Sequence, residues 1–224
     1  LFESLKLSDL SKQHCGVLRK CSRTRPVIWI LEENGIRAIV KDFSLNGFVF
    51  RNTIGRFLVW REKKAYIRLK GLRGVPTFYR AVDGLALVME AIPGKSIESP
   101  EILAELPEAF FDALQDLVEK IHKRGMAHCD LKRAPNIILG DDGRPYIIDW
   151  AASVSKTELG LFPLSLIYDR FIQDDLKAII KIRLKHSPES VSPAQKRDYF
   201  RRGPVERLIR PVKEKARDLL KKIA

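Results

Sequence analysis

Up to residue 90 the apolar positions fall in short β-type runs around one helical stretch, and beyond it they fall mostly at helical intervals. Val27-Ile28-Trp29-Ile30-Leu31 is rich in β-branched and aromatic residues and predicts a strand. Glu33-Asn34-Gly35 follows as a hairpin turn, because an Asn-Gly pair takes positive φ readily, and Ile36 to Phe43 is the return strand. A helix is predicted from Thr53 to Leu69, with Phe57, Trp60, Tyr66 and Leu69 at helical spacing and Gly71 and Gly74 at its exit. Thr77 to Val82 and Leu85 to Met89 form a second predicted hairpin around Asp83-Gly84. Glu90-Ala91-Ile92-Pro93-Gly94 then breaks the pattern, since proline cannot donate to a strand ladder and glycine lets the chain bend.

Past this connector, Phe110, Leu114, Leu117 and Ile121 stand at i, i+4, i+7 and i+11, an amphipathic helix ending before Gly125. Two short strands around Gly140-Asp141-Asp142-Gly143 come next. A helix is then expected from Leu164 to Lys185, a linker holds Pro188 and Pro193, and a very basic helix is expected over Val205 to Ile223. No internal repeat or long low-complexity tract interrupts this order.

The bulk properties narrow the field. An apolar fraction of 45% in 224 residues is ordinary for a globular protein and supports one domain or two small lobes. No apolar run is long enough to predict a transmembrane helix. Leu1 to Leu10 lack an apolar h-region, so no secretory leader is expected. Cys15, Cys21 and Cys129 are odd in number and without CxxC spacing, which argues against disulfides or zinc and fits a reducing, cytoplasmic setting. Cys129 reads as a small semi-buried filler. The formal charge of +13 predicts attraction to an anionic partner: nucleic acid, a membrane face, or acidic or phosphorylated substrates.

The densest chemistry lies in His128-Cys129-Asp130-Leu131-Lys132, followed by Asn136 and by Ile147-Ile148-Asp149-Trp150. A carboxylate that orients a hydroxyl, with an amide and a second carboxylate that hold magnesium, is what transfer of a terminal phosphoryl group needs.

With the strand-rich half before it, this motif set resembles the protein-kinase-like superfamily, closest to RIO-type kinases and to bacterial lipopolysaccharide Kdo and heptose kinases. The resemblance implies an α+β, bilobal fold. A small antiparallel-sheet lobe with one helix would occupy residues 1–90, a hinge 91–94, and a reduced, mainly helical lobe 95–224. It implies ATP and Mg²⁺ as cofactors. Lys41, in Ala38-Ile39-Val40-Lys41, would bind phosphates and pair with Glu62 of the helix. Backbone groups near Glu90 and Ile92 would meet adenine, with Val88 and Met89 lining its pocket. Asp130 would be the base or hydroxyl-orienting carboxylate, Lys132 would stabilise charge on the phosphoryl group, and Asn136 and Asp149 would hold the metal. His128 would anchor the loop, and Asp174 or Asp175 would tie down its backbone.

Four departures qualify the match. Asp130 and Asn136 are one residue further apart than the family spacing, which predicts a bulge around Arg133-Ala134-Pro135. Asp149 precedes Trp150-Ala151 rather than Phe-Gly, which disfavours a backbone-flip switch. No G-x-G-x-x-G precedes the strands; Ser22 and Thr24, with backbone amides and Arg23 or Arg25, are expected to cover the phosphates. No Ala-Pro-Glu follows Asp149. The implied acceptor is a Ser/Thr hydroxyl of a protein, with a lipopolysaccharide-precursor sugar at the inner membrane face as rival. An aminoglycoside-type small molecule and a pseudokinase lacking chemistry are further readings. The Val205–Ile223 helix offers a surface to anionic lipid or RNA, and a monomer is expected.

Overall fold

The computed structural model describes residues 2–186 and 188–200. The chain forms two compact units, Leu1–Ile179 and Ile180–Ala224. In the first, α1 (Leu7–Gln13) precedes a five-stranded antiparallel sheet of β1 (Gly16–Arg19), β2 (Val27–Glu33), β3 (Ile36–Asp42), β4 (Phe78–Val82) and β5 (Ala86–Glu90), ordered β1-β2-β3-β5-β4. The Asn34-Gly35 turn takes positive φ at both residues, 53° and 76°, and sets the β2–β3 register Glu33↔Ile36 through Val27↔Asp42.

Strand alternation sorts this sheet into two faces. Ala38, Val40 and Val88 join Phe2, Leu5 and Leu10 in one buried cluster, so the N-terminal segment covers one face. Lys41 lies across from Leu87 and Ile39 from Met89, on the other face. The helical stretch between β3 and β4 packs against β4 and β5. It comprises α2 (Phe48–Phe50), a π-helical turn Arg51–Gly55, and α3 (Arg56–Arg68).

Two expectations are corrected here. Helix begins at Phe48, five residues before Thr53, because Arg51 N–H reaches Gly47 O at 2.9 Å and helical geometry continues through the π turn. Phe57 and Trp60 are half exposed, while Val59, Glu62, Ala65 and Tyr66 form the buried face. Of the four apolar positions read from spacing, Tyr66 and Leu69 are buried and Phe57 and Trp60 are not, because Val59 and a glutamate, Glu62, occupy the buried face in their place.

The connector leads into β6 (Gly94–Ser96), then α4 (Pro100–Glu105) and α5 (Glu108–Lys123). A Cβ at Gly94 would lie 2.2 Å from Leu139 O, so only glycine allows β6 to approach β8 (Ile137–Gly140) this closely. α5 buries Phe110, Phe111, Leu114, Leu117, Val118 and Ile121 and packs on β7 (Met126–Ala127) and β9 (Pro145–Ile147). β6, β8 and β9 make one small sheet, and β7 pairs with β10 (Val154–Ser155). These short strands make the second half less purely helical than expected. α6 (Lys156–Leu159) and α7 (Leu164–His186) follow. The first unit is thus a kinase-like pair of lobes: an antiparallel sheet with its helix, then a mainly helical part.

In the second unit, a 3₁₀ turn Pro188–Ser190 precedes α8 (Pro193–Phe200). Ser192 and Gln195 cap α8 reciprocally, at 3.0 and 3.2 Å. The basic helix expected over Val205–Ile223 lies outside the described residues.

Candidate active site

Lys41 is the hub. Its Nζ donates to Glu62 Oε1 at 2.7 Å and to Asp149 Oδ1 at 2.8 Å. The alternation of β3 turns it away from the Val40 cluster, α3 supplies Glu62, and the segment after β9 supplies Asp149. Glu62 is almost wholly buried, and its Oε1 also accepts the Trp150 N–H at 3.3 Å. Burial works to lower the Lys41 pKa, but the two carboxylates outweigh it and the ammonium is held above its ordinary range. Burial raises the Glu62 carboxyl despite the Lys41 charge. The Lys41 charge keeps Asp149 below the usual carboxylate range, hence ionised. Asp149 has φ 66° and ψ 70°, a left-handed conformation that aspartate tolerates better than most residues.

A second group is built on the loop after β7. Asp175 of α7 is 1% exposed and accepts the His128 N–H at 2.7 Å and the Cys129 N–H at 2.9 Å. It also meets His122 Nε2 at 3.2 Å. Of the two aspartates considered from sequence, Asp175 holds the loop; Asp174 faces Lys132 at 3.7 Å and Arg170 at 3.0 Å. Cys129 sits at φ 68°, and burial pushes its thiol up to about 12, so it is protonated and unreactive.

His128 is fully buried against Trp150, with ring centroids 4.7 Å apart. Its Nε2 lies 3.0 Å from Ile148 O, and its Nδ1 accepts the Asp130 N–H at 3.3 Å. Both contacts are satisfied by the neutral Nε2–H tautomer, and burial lowers the pKa accordingly. The ring therefore ties the Asp130 backbone to the strand end that carries Asp149.

The additional residue before Asn136 is absorbed by a 3₁₀ turn, Ala134–Asn136. Asn136 Nδ2 donates to Asp130 O at 3.0 Å and is 3.4 Å from Asp130 Oδ2, while Asn136 O accepts the Ile148 N–H at 2.9 Å. Lys41, Glu62, Asp149, Asp130 and Asn136 are thereby linked through one set of contacts. With its nitrogen engaged, Asn136 presents an oxygen, and Asp149 presents a carboxylate. Both are oxygen donors of the kind Mg²⁺ takes, alongside several waters and phosphate oxygens. Among the described residues no cluster of three or more His, Cys, Asp or Glu side chains offers a protein-only cage.

Other expected residues stand elsewhere. Lys132 is mostly exposed and turned to Asp174. Arg133, singled out only as part of the bulge, meets Asp130 Oδ1 at 3.3 Å. Ser22 and Thr24 are exposed, and no contact among the described residues carries their hydroxyls to Lys41 or Asp149. The turn that bears them is pinned by Asn46, whose Nδ2 donates to Ser22 O at 2.8 Å and Arg25 O at 3.2 Å. Val88 is a correction. It belongs to the cluster beneath the N-terminal segment, whereas Met89, one residue on, points to the opposite face and meets Tyr66 Oη at 3.3 Å. In the connector, the Glu90 N–H is donated to Thr77 O at 2.8 Å and its carboxylate accepts Thr77 N–H at 2.8 Å. Ile92 makes no hydrogen bond among the described residues. A cavity of about 420 Å³ between Lys70–Phe78 and Tyr146 touches Glu90 but contains none of the groups around Lys41.

Arg61 was not anticipated from sequence. Its guanidinium donates to Ser153 O and lies 3.5 Å from Ala152 O, fastening α3 to the chain after Asp149. Its neighbour Glu62 is the residue of that helix to which the resemblance assigns a role.

Comparison with known proteins gives a consistent picture. Residues 47–193 match the model described as RIO domain. Over 149 residues, 63% of the chain, it is 30% identical to a 3-deoxy-D-manno-octulosonic acid kinase of Stenotrophomonas maltophilia. Over 139 residues, 54% of the chain, it is 34% identical to the serine/threonine-protein kinase PknD of Chlamydia trachomatis. The matched part spans 52% of the first relative and 14% of the second.

Proposed function

The chain belongs to the RIO-domain family, and from that premise we propose that it is an ATP-dependent phosphotransferase acting on a hydroxyl group. The observation that carries this reading is Lys41 Nζ held between Glu62 and Asp149, 2.7 and 2.8 Å away, on the sheet face opposite the sealed core. In this reading Lys41 grips non-bridging phosphate oxygens, and Glu62 fixes its direction. Asn136 and Asp149 would hold Mg²⁺, and when bound it would supply positive charge against the phosphate oxygens. Asp130, kept in place by His128 and Asn136, orients the acceptor hydroxyl and takes its proton. Lys132 leaves Asp174 to meet the transferring group, a cation placed where charge develops. The Ile92 amide and the Glu90 carbonyl are the groups proposed for adenine, beside Met89. Ser22 and Thr24 act in this scheme only through the turn that Asn46 pins.

For the acceptor, family membership and the likeness to PknD support a Ser or Thr hydroxyl of a protein. A saccharide hydroxyl is the second reading, supported by the likeness to the 3-deoxy-D-manno-octulosonic acid kinase. The chain between Asp149 and α7 is only 150–163, which leaves little room for a peptide-docking segment. Lysate fractionated into protein, glycolipid and RNA is incubated with γ-labelled ATP and the chain. Label is expected in a single fraction and absent with Asp130→Asn. Equal labelling by that variant, at wild-type rate, would remove Asp130 from the chemistry.

A further inference from the structure

We propose that the outer face of the helical stretch Phe48–Arg68 docks on an anionic lipid bilayer. Phe48 and Val49 are more than 70% exposed, and Ile54, Phe57, Trp60 and Ile67 are each at least half exposed. On a protein surface such a run of large apolar groups is the informative exception, since single exposed apolar residues need no explanation. Phe57 and Trp60 are neighbours on one face, with ring centroids 5.9 Å apart. Cations flank the rings: Arg61 stands 5.6 Å from Phe57, Lys64 5.5 Å from Trp60, and Arg51 5.5 Å from Phe48.

Charge selects the partner. From Phe48 to Lys70 the sequence has seven Lys or Arg and one acid, Glu62. Glu62 is buried with Lys41, so the exposed face carries no carboxylate of its own. Among the described residues only Lys64 of the seven meets a carboxylate, Glu158 at 3.0 Å. Aromatic rings and aliphatic side chains between basic residues are what an interfacial helix presents to headgroups and the upper acyl region. Single-stranded nucleic acid would use the rings and cations, but Val49, Ile54 and Ile67 have nothing to stack on bases. Lipid uses all three kinds of side chain.

Three tryptophans make the test direct. Trp29 and Trp150 are 7% and 0% exposed, so a change in emission on binding reports Trp60. The full chain is mixed with phosphatidylcholine vesicles, with or without phosphatidylglycerol, and followed by fluorescence and sedimentation. With phosphatidylglycerol the emission should shift to the blue and the protein should sediment; added salt should weaken both. The double substitution Phe57→Ser/Trp60→Ser should reduce partitioning about tenfold or more, because it removes the apolar part of the interaction. Its thermal midpoint should fall only slightly, since both side chains are already half exposed, and Trp60→Phe should sediment normally without the shift. Sedimentation undiminished in the double variant would assign binding to another surface and overturn the proposal. So would a Trp60 shift produced by RNA and not by vesicles, or capture of the face by a protein with vesicles inert.

Discussion

At the scale of single residues, the site depends on charges that cannot be left alone. Glu62 is 2% exposed beside Lys41, so removing the ammonium strands a buried carboxylate. Breaking such a pair typically costs about 3 kcal/mol or more, mostly through the partner left behind. Lys41→Met should therefore lower stability by about that amount in urea unfolding, and Glu62→Gln added to it should restore most of the loss. A Lys41→Met protein as stable as wild type would mean that the pair is not desolvated in solution. His128 supplies a pH dependence. Burial holds its pKa below the ordinary 6.5, so on acidification the unfolded chain takes up this proton before the folded one does. Its contribution is complete above pH 6.5 and is lost as pH falls from there through the folded-state value, at no more than about 1.4 kcal/mol per pH unit. Glu62, raised by burial, acts in the opposite sense and is common to both proteins when wild type is compared with His128→Asn. Urea midpoints should fall between pH 7 and 5.5 more steeply in wild type than in the variant. Parallel curves would remove the neutral, buried histidine.

At the scale of elements, much was legible where one physical preference acted alone. The Asn34-Gly35 turn and its flanking β-rich runs gave the β2–β3 hairpin, and the spacing of Phe110 to Ile121 gave the buried face of α5. Legibility failed where the signals conflicted. Helical spacing grouped Phe57 and Trp60 with Tyr66 and Leu69, but only the last two are buried, and the face that packs contains Glu62, whose burial depends on a lysine 21 residues earlier. Helix extends to Phe48, ahead of the start at Thr53 read from the sequence, and Phe48 and Val49 are exposed, so no buried apolar period marks this first turn. Val88 was given the wrong face because a continuous apolar strand, buried on both sides, shows no alternation to read. β6, β7 and β10 have only two or three residues each, too few to produce a period. Asp130 and Asn136 lie one residue further apart than the family spacing, and the contact between them in the structure depends on the 3₁₀ turn that takes up the extra residue. Asp175 was only half legible, since two adjacent aspartates on a helix differ in which one faces inward, and packing decides that.

At the scale of the whole molecule, the groups around Lys41 come from distant parts of the chain: β3, α3 and the strand end at Asp149, with Asp175 of α7 bracing the loop beside them. None of these segments holds its position alone. Lys41 keeps Glu62 and Asp149 together, yet the three charges include two negative ones facing a single ammonium. Under the proposed function, a triphosphate with Mg²⁺ would bring an anion to Lys41 and a cation to Asp149, so binding should tighten the fold that builds the site. A ligand that binds only the folded state at a hundredfold excess over Kd stabilises by about 2.7 kcal/mol. For a chain of this size that corresponds to a rise in Tm of roughly 5–10 °C. ATP with Mg²⁺ should give such a rise, and ATP with EDTA a much smaller one. Asp149→Asn should abolish the Mg²⁺-dependent part while keeping the smaller response, because Lys41 still meets phosphate. Differential scanning fluorimetry across the four combinations measures this directly. A full Mg²⁺-dependent shift in Asp149→Asn would show that the cation is held elsewhere, and the pairing of Asn136 with Asp149 would have to be abandoned.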